Sequence, residues 1–444
     1  MTEVALARRL TLFDATMIVM GGIVGAGIFM NPAVVAQEVP TAGAALGAWT
    51  VGGAFALTGA FIYAELAARR PAVGGQYAYL REAFHPLVAF LYAWTLLLVS
   101  QSGGMAAVAM TFARYFRDLS GTAIGEGAIA VGALAALTAV NCLGVRAGSN
   151  LQSLFMVLKI GAVAMLVALG FRAAPPSPVA GEPSASAISL TSFGAALVPV
   201  LFAYGGWQTS SFVAGELKSP QRDLPRGLLI GVSGVVVLYL LVNYVCIRAL
   251  GMTGLAATTT PASDVMRAAL GERGATLIAA GIAISTIGFL SQNLLTGPRV
   301  YFAMARDGTF FRSVAMVHPR TRVPLVAIVL QGAIASLLAL SGSYERILGF
   351  VVAIDWVFFG LTALALVVLR HRDEGAALDA TFRVPGHPFT TLAFVAGSWL
   401  VVANTVYRFP ANALAGLGLL LAGVPVYLFW RRQSVAMTAA GRPS

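Results

Sequence analysis

Residues Gly21 to Pro32 read GGIVGAGIFMNP, four glycines and a proline inside an apolar run. A bilayer interior holds no water to satisfy loose backbone N–H and C=O groups, so a helix that unwinds there must line a cavity or hold a ligand. If this one unwinds at Gly25, Ala26 and Gly27, the half-helix that follows presents its amides and positive dipole end, a site suited to a carboxylate. The carbonyls freed just before the break are acceptors for an ammonium group. A second interruption, FAYGGW from Phe202 to Trp207, supplies further carbonyls. Together they describe an α-amino acid held by its backbone atoms, with its side chain sorted elsewhere. The bland readings are close helix packing through the Gly21 and Gly25 pair and a plain kink at Gly205-Gly206. A nucleotide loop is disfavoured: no strand precedes the glycines and no third glycine follows at the required spacing.

Charged and polar residues inside apolar runs are the next candidates. Lys159, in LFMVLKIGAVAML, is the one lysine deep in an apolar run, and a charge there must face the bundle or a cavity. An ammonium beside the first broken helix would rigidify it as a bound sodium ion could, or exchange protons; snorkelling to an interface is the alternative. Asp355, in FVVAIDWVFFG, reads as a proton carrier, a partner for a polar substrate side chain, or a carboxylate satisfied by a hydroxyl. Glu65 beside Arg69 and Arg70 reads as an interfacial ion pair, and Asp14 as an interfacial cap or gate partner. Gln101, Ser102, Ser285, Thr286, Gln292 and Asn293 could line the same cavity or bond between helices. His85, His318, His371 and His387 show no ligand spacing, so neither a metal nor a cofactor is expected.

These residues must be positioned by membrane helices. The 444-residue chain is 58% hydrophobic and 11% charged, too little polar surface to clothe a soluble globule. Apolar segments fall at 12–37, 42–67, 84–113, 128–145, 151–171, 191–214, 228–250, 275–304, 323–341, 347–370, 389–406 and 411–430, about twelve spans. Twenty Lys and Arg, among them Arg8, Arg9, Arg69, Arg70 and Arg299, fall on the side of the termini and eight on the other. The positive-inside bias therefore predicts cytoplasmic termini and accounts for the +11 net charge without an acidic partner or nucleic acid. The first segment is long, lacks a cleavage site and leads into further spans, so it reads as a retained helix. Cys142 and Cys246 fall within spans and read as packing residues.

The interruptions in spans 1 and 6 lie about 180 residues apart, with five spans to each repeat. Five crossings invert the second copy, and paired broken helices at equivalent positions point to a transporter binding site. The predicted organisation is a cytoplasmic N-terminus (1–11), a first repeat of spans 1–5 (12–171), an external linker (172–190), a second repeat of spans 6–10 (191–370), a cytoplasmic loop (371–388), spans 11 and 12 (389–430) and a cytoplasmic tail (431–444) that reads as disordered. Between spans 7 and 8, ASDVMRAALG predicts a short external lid helix, capped by Ser263 and stopped by Gly271.

Several stretches now carry a resemblance: GGIVGAGIFMNP in span 1, YAELAARRPAVGGQYAYLREAF after span 2, NCLGVRAGSNLQSLFMVLK through spans 4 and 5, LFAYGGWQTSSFVAGELKSPQRDLPR at span 6, TGPRVYFAMARDG after span 8 and FRVPGHPF before span 11. They keep one family's order over nearly the whole chain, which resembles the amino acid–polyamine–organocation superfamily, most of all its L-type amino-acid exchangers and their bacterial relatives. The resemblance implies an all-α membrane protein with a leucine-transporter-type five-plus-five inverted repeat and alternating access. It implies that the amides of Gly25, Ala26 and Gly27 take the substrate carboxylate and that carbonyls of Ile23, Phe202, Ala203 and Gly205 take the ammonium. Phe202 would be the gate over the substrate, and Lys159 looks like the family lysine that stands in for a second sodium. Ala26 replaces a residue often serine in the family, removing a hydroxyl but leaving the amide. The loop after span 3 has no cysteine, so no disulfide-linked heavy subunit is expected. Asp355 stands where relatives often carry a neutral polar residue, which makes it, with Gln101 and Asn293, a candidate for side-chain selectivity.

The expectation is a sodium-independent amino-acid permease of the cell membrane, working by exchange or proton symport. A sensor on the same fold is the alternative. A membrane enzyme would need clustered His, Asp, Glu or Cys at a membrane face, and a channel a filter signature; the sequence has neither.

Overall fold

The computed structural model describes residues 6–173, 189–342, 344–373 and 382–440. Among these, eight helices are long and apolar enough to cross a membrane, and the pair Leu12–Ile23 and Gly27–Glu38, bent by 43°, makes a ninth span. Three expected spans are shorter: Glu126–Cys142 and Leu325–Ser341 are apolar helices of 17 residues, and 191–214 becomes helix Leu190–Tyr204 followed by a 3-10 stretch. All twelve expected segments thus coincide with helices, and the protein is an all-α integral membrane protein.

Each broken helix has a local cause. Span 1 starts at a capping box, with Thr11 Oγ1 accepting from the Asp14 amide and the Asp14 carboxylate accepting from the Thr11 amide at 2.8 Å. It stops at Ile23, where Val24 turns extended, and resumes at Gly27. Span 6 stops at Tyr204, and Gly206 takes φ +114°, a conformation open to glycine and little else. From Trp207 to Glu216 the chain runs as a ten-residue 3-10 helix, far longer than such stretches ordinarily persist. The hydroxyls of Thr209, Ser210 and Ser211 help to hold it by donating to the carbonyls three residues back, at 2.7, 3.0 and 2.6 Å.

Span 3 carries a third irregularity that the sequence did not announce: Pro86–Thr95 and Ser102–Ser120 are α-helical, but Leu96–Gln101 is a π-helix. Around these three elements, span 7 (Pro220–Ala257) packs on spans 1 and 2, span 8 (Glu272–Thr296, continued by Pro298–Arg306) on spans 3 and 5, and span 10 (Tyr344–Arg372) on spans 2, 3 and 11. A short helix, Gln76–Ala83, tucks under spans 3 and 10 after span 2.

Several expectations are corrected. The expected short helix between spans 7 and 8 exists, but runs Pro261–Leu270, so Ser263 lies inside it; Pro261 supplies the pre-set φ of a first helical position, while Gly271 ends the helix as expected. The last helix extends from Pro410 to Ala440, past the expected end of span 12 and through most of the tail read as disordered. Most of the expected linker, 174–188, and part of the expected cytoplasmic loop, 374–381, lie outside the described residues. Glu65 forms the expected ion pair with Arg69, at 2.8 Å, but is fully buried and also accepts from Arg370 at 2.5 Å and the Val384 amide at 2.7 Å, while Arg70 turns to Asp373 and Glu82.

Candidate functional site

The two breaks meet at the centre of the bundle. A Cβ added to Gly206 would lie 2.1 Å from the Gly22 carbonyl oxygen, and one added to Gly22 would lie 2.6 Å from that of Gly206. Only two glycines let these backbones approach so closely. Beside the contact lies a cavity of about 390 Å³, room for a small organic solute. Ile23, Gly25, Ala26, Gly27, Phe202, Ala203 and Gly205 all line it, as do Gln101, Asn293 and Asp355. The structure therefore brings these ten nominated residues to one cavity wall, while Lys159, Ser102, Ser285, Thr286 and Gln292 are not among its lining residues.

Among the described residues, no acceptor stands opposite the amides of Gly25, Ala26 or Gly27, which leaves three donors at the start of helix Gly27–Glu38. The opposing carbonyls are less free than the sequence suggested. The Tyr239 hydroxyl lies 3.0 Å from the Ile23 oxygen and 3.3 Å from that of Ala203, so its single hydrogen serves one of them at a time. The Phe202 oxygen accepts from the Gly205 amide at 3.1 Å. Each carbonyl keeps a second lone pair, and that of Gly205 has no backbone donor among the described residues. Phe202 is 50% exposed and lines the cavity.

Lys159 stands behind the wall rather than in it. It is 1% exposed, and its Nζ lies 2.6 Å from the Val24 oxygen and 3.5 Å from that of Gly21. The expected snorkelling alternative is thereby excluded, and the ammonium holds two carbonyls that the break releases. Ser285 Oγ donates to the Gly25 oxygen at 3.2 Å, and Gln292 Nε2 to Thr209 Oγ1 at 2.7 Å, so span 8 supports both breaks. Thr286 bonds within its own helix, to the Ala283 oxygen, and Ser102 is buried away from the cavity lining. Asp355 Oδ1 accepts from Ser100 Oγ at 2.6 Å, and Ser100 reaches it from the π-helical stretch of span 3.

The cavity extends toward the end of the bundle away from the N-terminus, past Met30, Val34 and Thr111. The other end is shut. Leu10 and Leu217 form an isolated parallel bridge, in which the Arg9 and Leu10 amides donate to the Glu216 oxygen and the Lys218 amide to the Leu10 oxygen, each at 2.9 Å. Behind it Glu216 and Arg299, both buried, pair at 3.0 Å. Asp14, expected as a cap or gate partner, caps span 1 and also accepts from Ser149 at 2.7 Å and Arg146 at 3.3 Å.

Sequence reasoning missed Tyr239, Ser100, Gln208 and Trp356 at or beside the cavity. Polarity in an apolar run was the available signal for Ser100 and Gln208; nothing in the sequence distinguishes Tyr239 and Trp356, and only the fold shows which face they occupy. Among the described residues no group of His, Cys, Asp or Glu could hold a metal ion.

A helical bundle with two helices broken at mid-depth, meeting around a cavity closed at one end, is a solute transporter of the broken-helix class. The chain belongs to the amino acid permease family, whose profile matches residues 10–426. It is 29% identical over 439 residues to the serine/threonine exchanger SteT of Bacillus subtilis, covering 97% of this chain and 98% of that one. The human large neutral amino acids transporter small subunit 2 is also 29% identical, over 97% of this chain and 82% of its own length. The mouse b(0,+)-type amino acid transporter 1 matches at 29% over 86% and 79%. The protein is an amino-acid permease, a multi-pass membrane transporter and not an enzyme.

Proposed function

We propose that this permease moves α-amino acids without sodium, by exchange or with protons, holding the substrate by its backbone atoms at the paired breaks. The amides of Gly25, Ala26 and Gly27 take the carboxylate, and the carbonyls of Ile23, Phe202, Ala203 and Gly205 take the ammonium, the first and third sharing their capacity with Tyr239. Phe202 closes over the substrate as a gate. Gln101, Asn293 and Asp355 face the substrate side chain. The observation that carries this reading is Lys159 Nζ 2.6 Å from the Val24 carbonyl, an amine where a bound cation would otherwise order the break.

The sided distribution of Lys and Arg supports cytoplasmic termini, and the cavity then faces outward in this conformation. One of the relatives, the human large neutral amino acids transporter, is named as a small subunit. For this chain, the loop after span 3 lacks cysteine and both cysteines are free within spans, which supports a transporter without a disulfide-linked heavy subunit.

Purified protein in sodium-free proteoliposomes tests the reading. Radiolabelled amino acid should enter vesicles preloaded with unlabelled amino acid, and replacing external sodium with potassium or choline should leave the rate unchanged. Absence of uptake under every gradient, or uptake only with sodium, overturns it.

A further inference from the structure

Asp355 is the one ionisable side chain on the wall of the central cavity. It comes from span 10, and beside it on that wall stand Ser100 and Gln101 from the π-helical stretch of span 3. Ser100 Oγ donates to Asp355 Oδ1 at 2.6 Å, and among the described residues Asp355 has no other hydrogen bond and no ion pair. Its second oxygen is left to the cavity. The other polar groups of the lining also turn acceptors inward. The three hydroxyls all spend their hydrogen on the protein: Ser100 on Asp355, Thr111 on the Ala107 oxygen at 3.0 Å and Thr209 on the Gly206 oxygen at 2.7 Å. Asn293 Nδ2 donates to the Phe289 oxygen at 2.9 Å, which leaves its Oδ1 as an acceptor. Gln101 Oε1 is buried with no partner among the described residues.

Acceptors without donors are expensive inside a bundle, and a carboxylate without a counterion more so, which makes this wall incomplete until a donor arrives. The α-carboxylate and α-ammonium of an amino acid cancel, so only its side chain can balance Asp355. A hydroxyl would satisfy one acceptor and leave the charge uncompensated. An acidic side chain would meet like charge, and an apolar one would cover the acceptors without pairing them. An ammonium or guanidinium supplies both the donors and the counter-charge. We propose that this carrier takes cationic amino acids, with Asp355 as the specificity-determining residue that pairs the side-chain cation and Gln101 Oε1 accepting a further hydrogen from it.

The inference rests on the permease reading and names its substrate class. In sodium-free proteoliposomes preloaded with unlabelled lysine and leucine, entry of labelled lysine and of labelled leucine is measured with lysine, arginine, norleucine, serine or glutamate as external competitor. Norleucine is lysine without its ammonium group, so the comparison of the two reads the cation alone. In the unaltered protein lysine should compete at least about tenfold better than norleucine, with arginine ranking beside lysine and glutamate not competing. Asp355→Asn should lower the ratio of lysine to leucine entry at least about tenfold, because the counter-charge is gone while the donor and acceptor shape remains. Norleucine or serine competing as well as lysine in the unaltered protein, or an unchanged ratio in D355N, overturns the cationic subsite and leaves the permease; no entry of any amino acid overturns both. Should D355N fail to fold, the comparison of lysine with norleucine decides, since it needs no variant.

Discussion

The Lys159 ammonium and the Val24 carbonyl stand 2.6 Å apart on the side of the broken helix that faces away from the cavity. The charge therefore braces the break from behind without occupying substrate space. Lys159→Ala removes the brace and leaves a buried carbonyl unpaired, at about 1–3 kcal/mol. Counterflow should fall by an order of magnitude or more, and thermal unfolding followed by tryptophan fluorescence should shift down. Full activity in this variant would remove Lys159 from the mechanism.

The contact between Gly22 and Gly206 makes a second prediction. Gly206→Ala places a methyl against the Gly22 backbone at a positive φ, so the two breaks must part, at about 2–4 kcal/mol, and transport should be lost. Gly104 is the contrast. It lines the cavity, and a Cβ there meets nothing within 4 Å, so Gly104→Ala should fold normally while disfavouring larger substrates. Competition assays with amino acids of graded side-chain size would read that shift.

Glu216 and Arg299 are a fully buried pair at the closed end. Replacing only the acid, as Glu216→Gln, leaves Arg299 uncompensated and should cost about 3–5 kcal/mol, visible as a large fall in unfolding temperature. The double variant Glu216→Leu with Arg299→Met should recover much of that loss, because burying no charge is cheaper than burying one.

His387 lies in the segment before span 11, outside the membrane, with Nδ1 3.0 Å from Thr391 Oγ1. Burial, and then Arg370 nearby, push its pKa below the ordinary 6.5. The fold thus prefers neutral imidazole. The resulting stability is present above pH 6.5 and is lost as pH falls through the lowered value. Unfolding temperature measured from pH 7.5 to 5 should drop, and His387→Gln should flatten that drop.

How much of this was legible beforehand depends on what each feature needs from the fold. Gly25-Ala26-Gly27 and Gly205-Gly206 were readable because glycine pairs are conspicuous in an apolar run, and Lys159 because a charge there demands a partner. The cavity wall followed from them almost residue for residue. Tyr239 did not, since one tyrosine in a long apolar helix looks like any other until the helix is rotated into place. The π-stretch that carries Ser100 to Asp355 leaves no mark in LLLVSQ. Glu65 read as interfacial because Arg69 and Arg70 follow it; that Arg370, some 300 residues away, also reaches it is a tertiary fact.

The bridge between Leu10 and Leu217 ties the leading segment of the chain to the strand-like exit of the second broken helix, so one short stretch of backbone senses both interruptions. Opening the shut end requires that seam to part, which makes the residues ahead of span 1 a moving component of the carrier. An affinity handle or fluorescent protein fused close to them would load the machinery itself, and kinetic comparisons between differently fused preparations would then compare different machines.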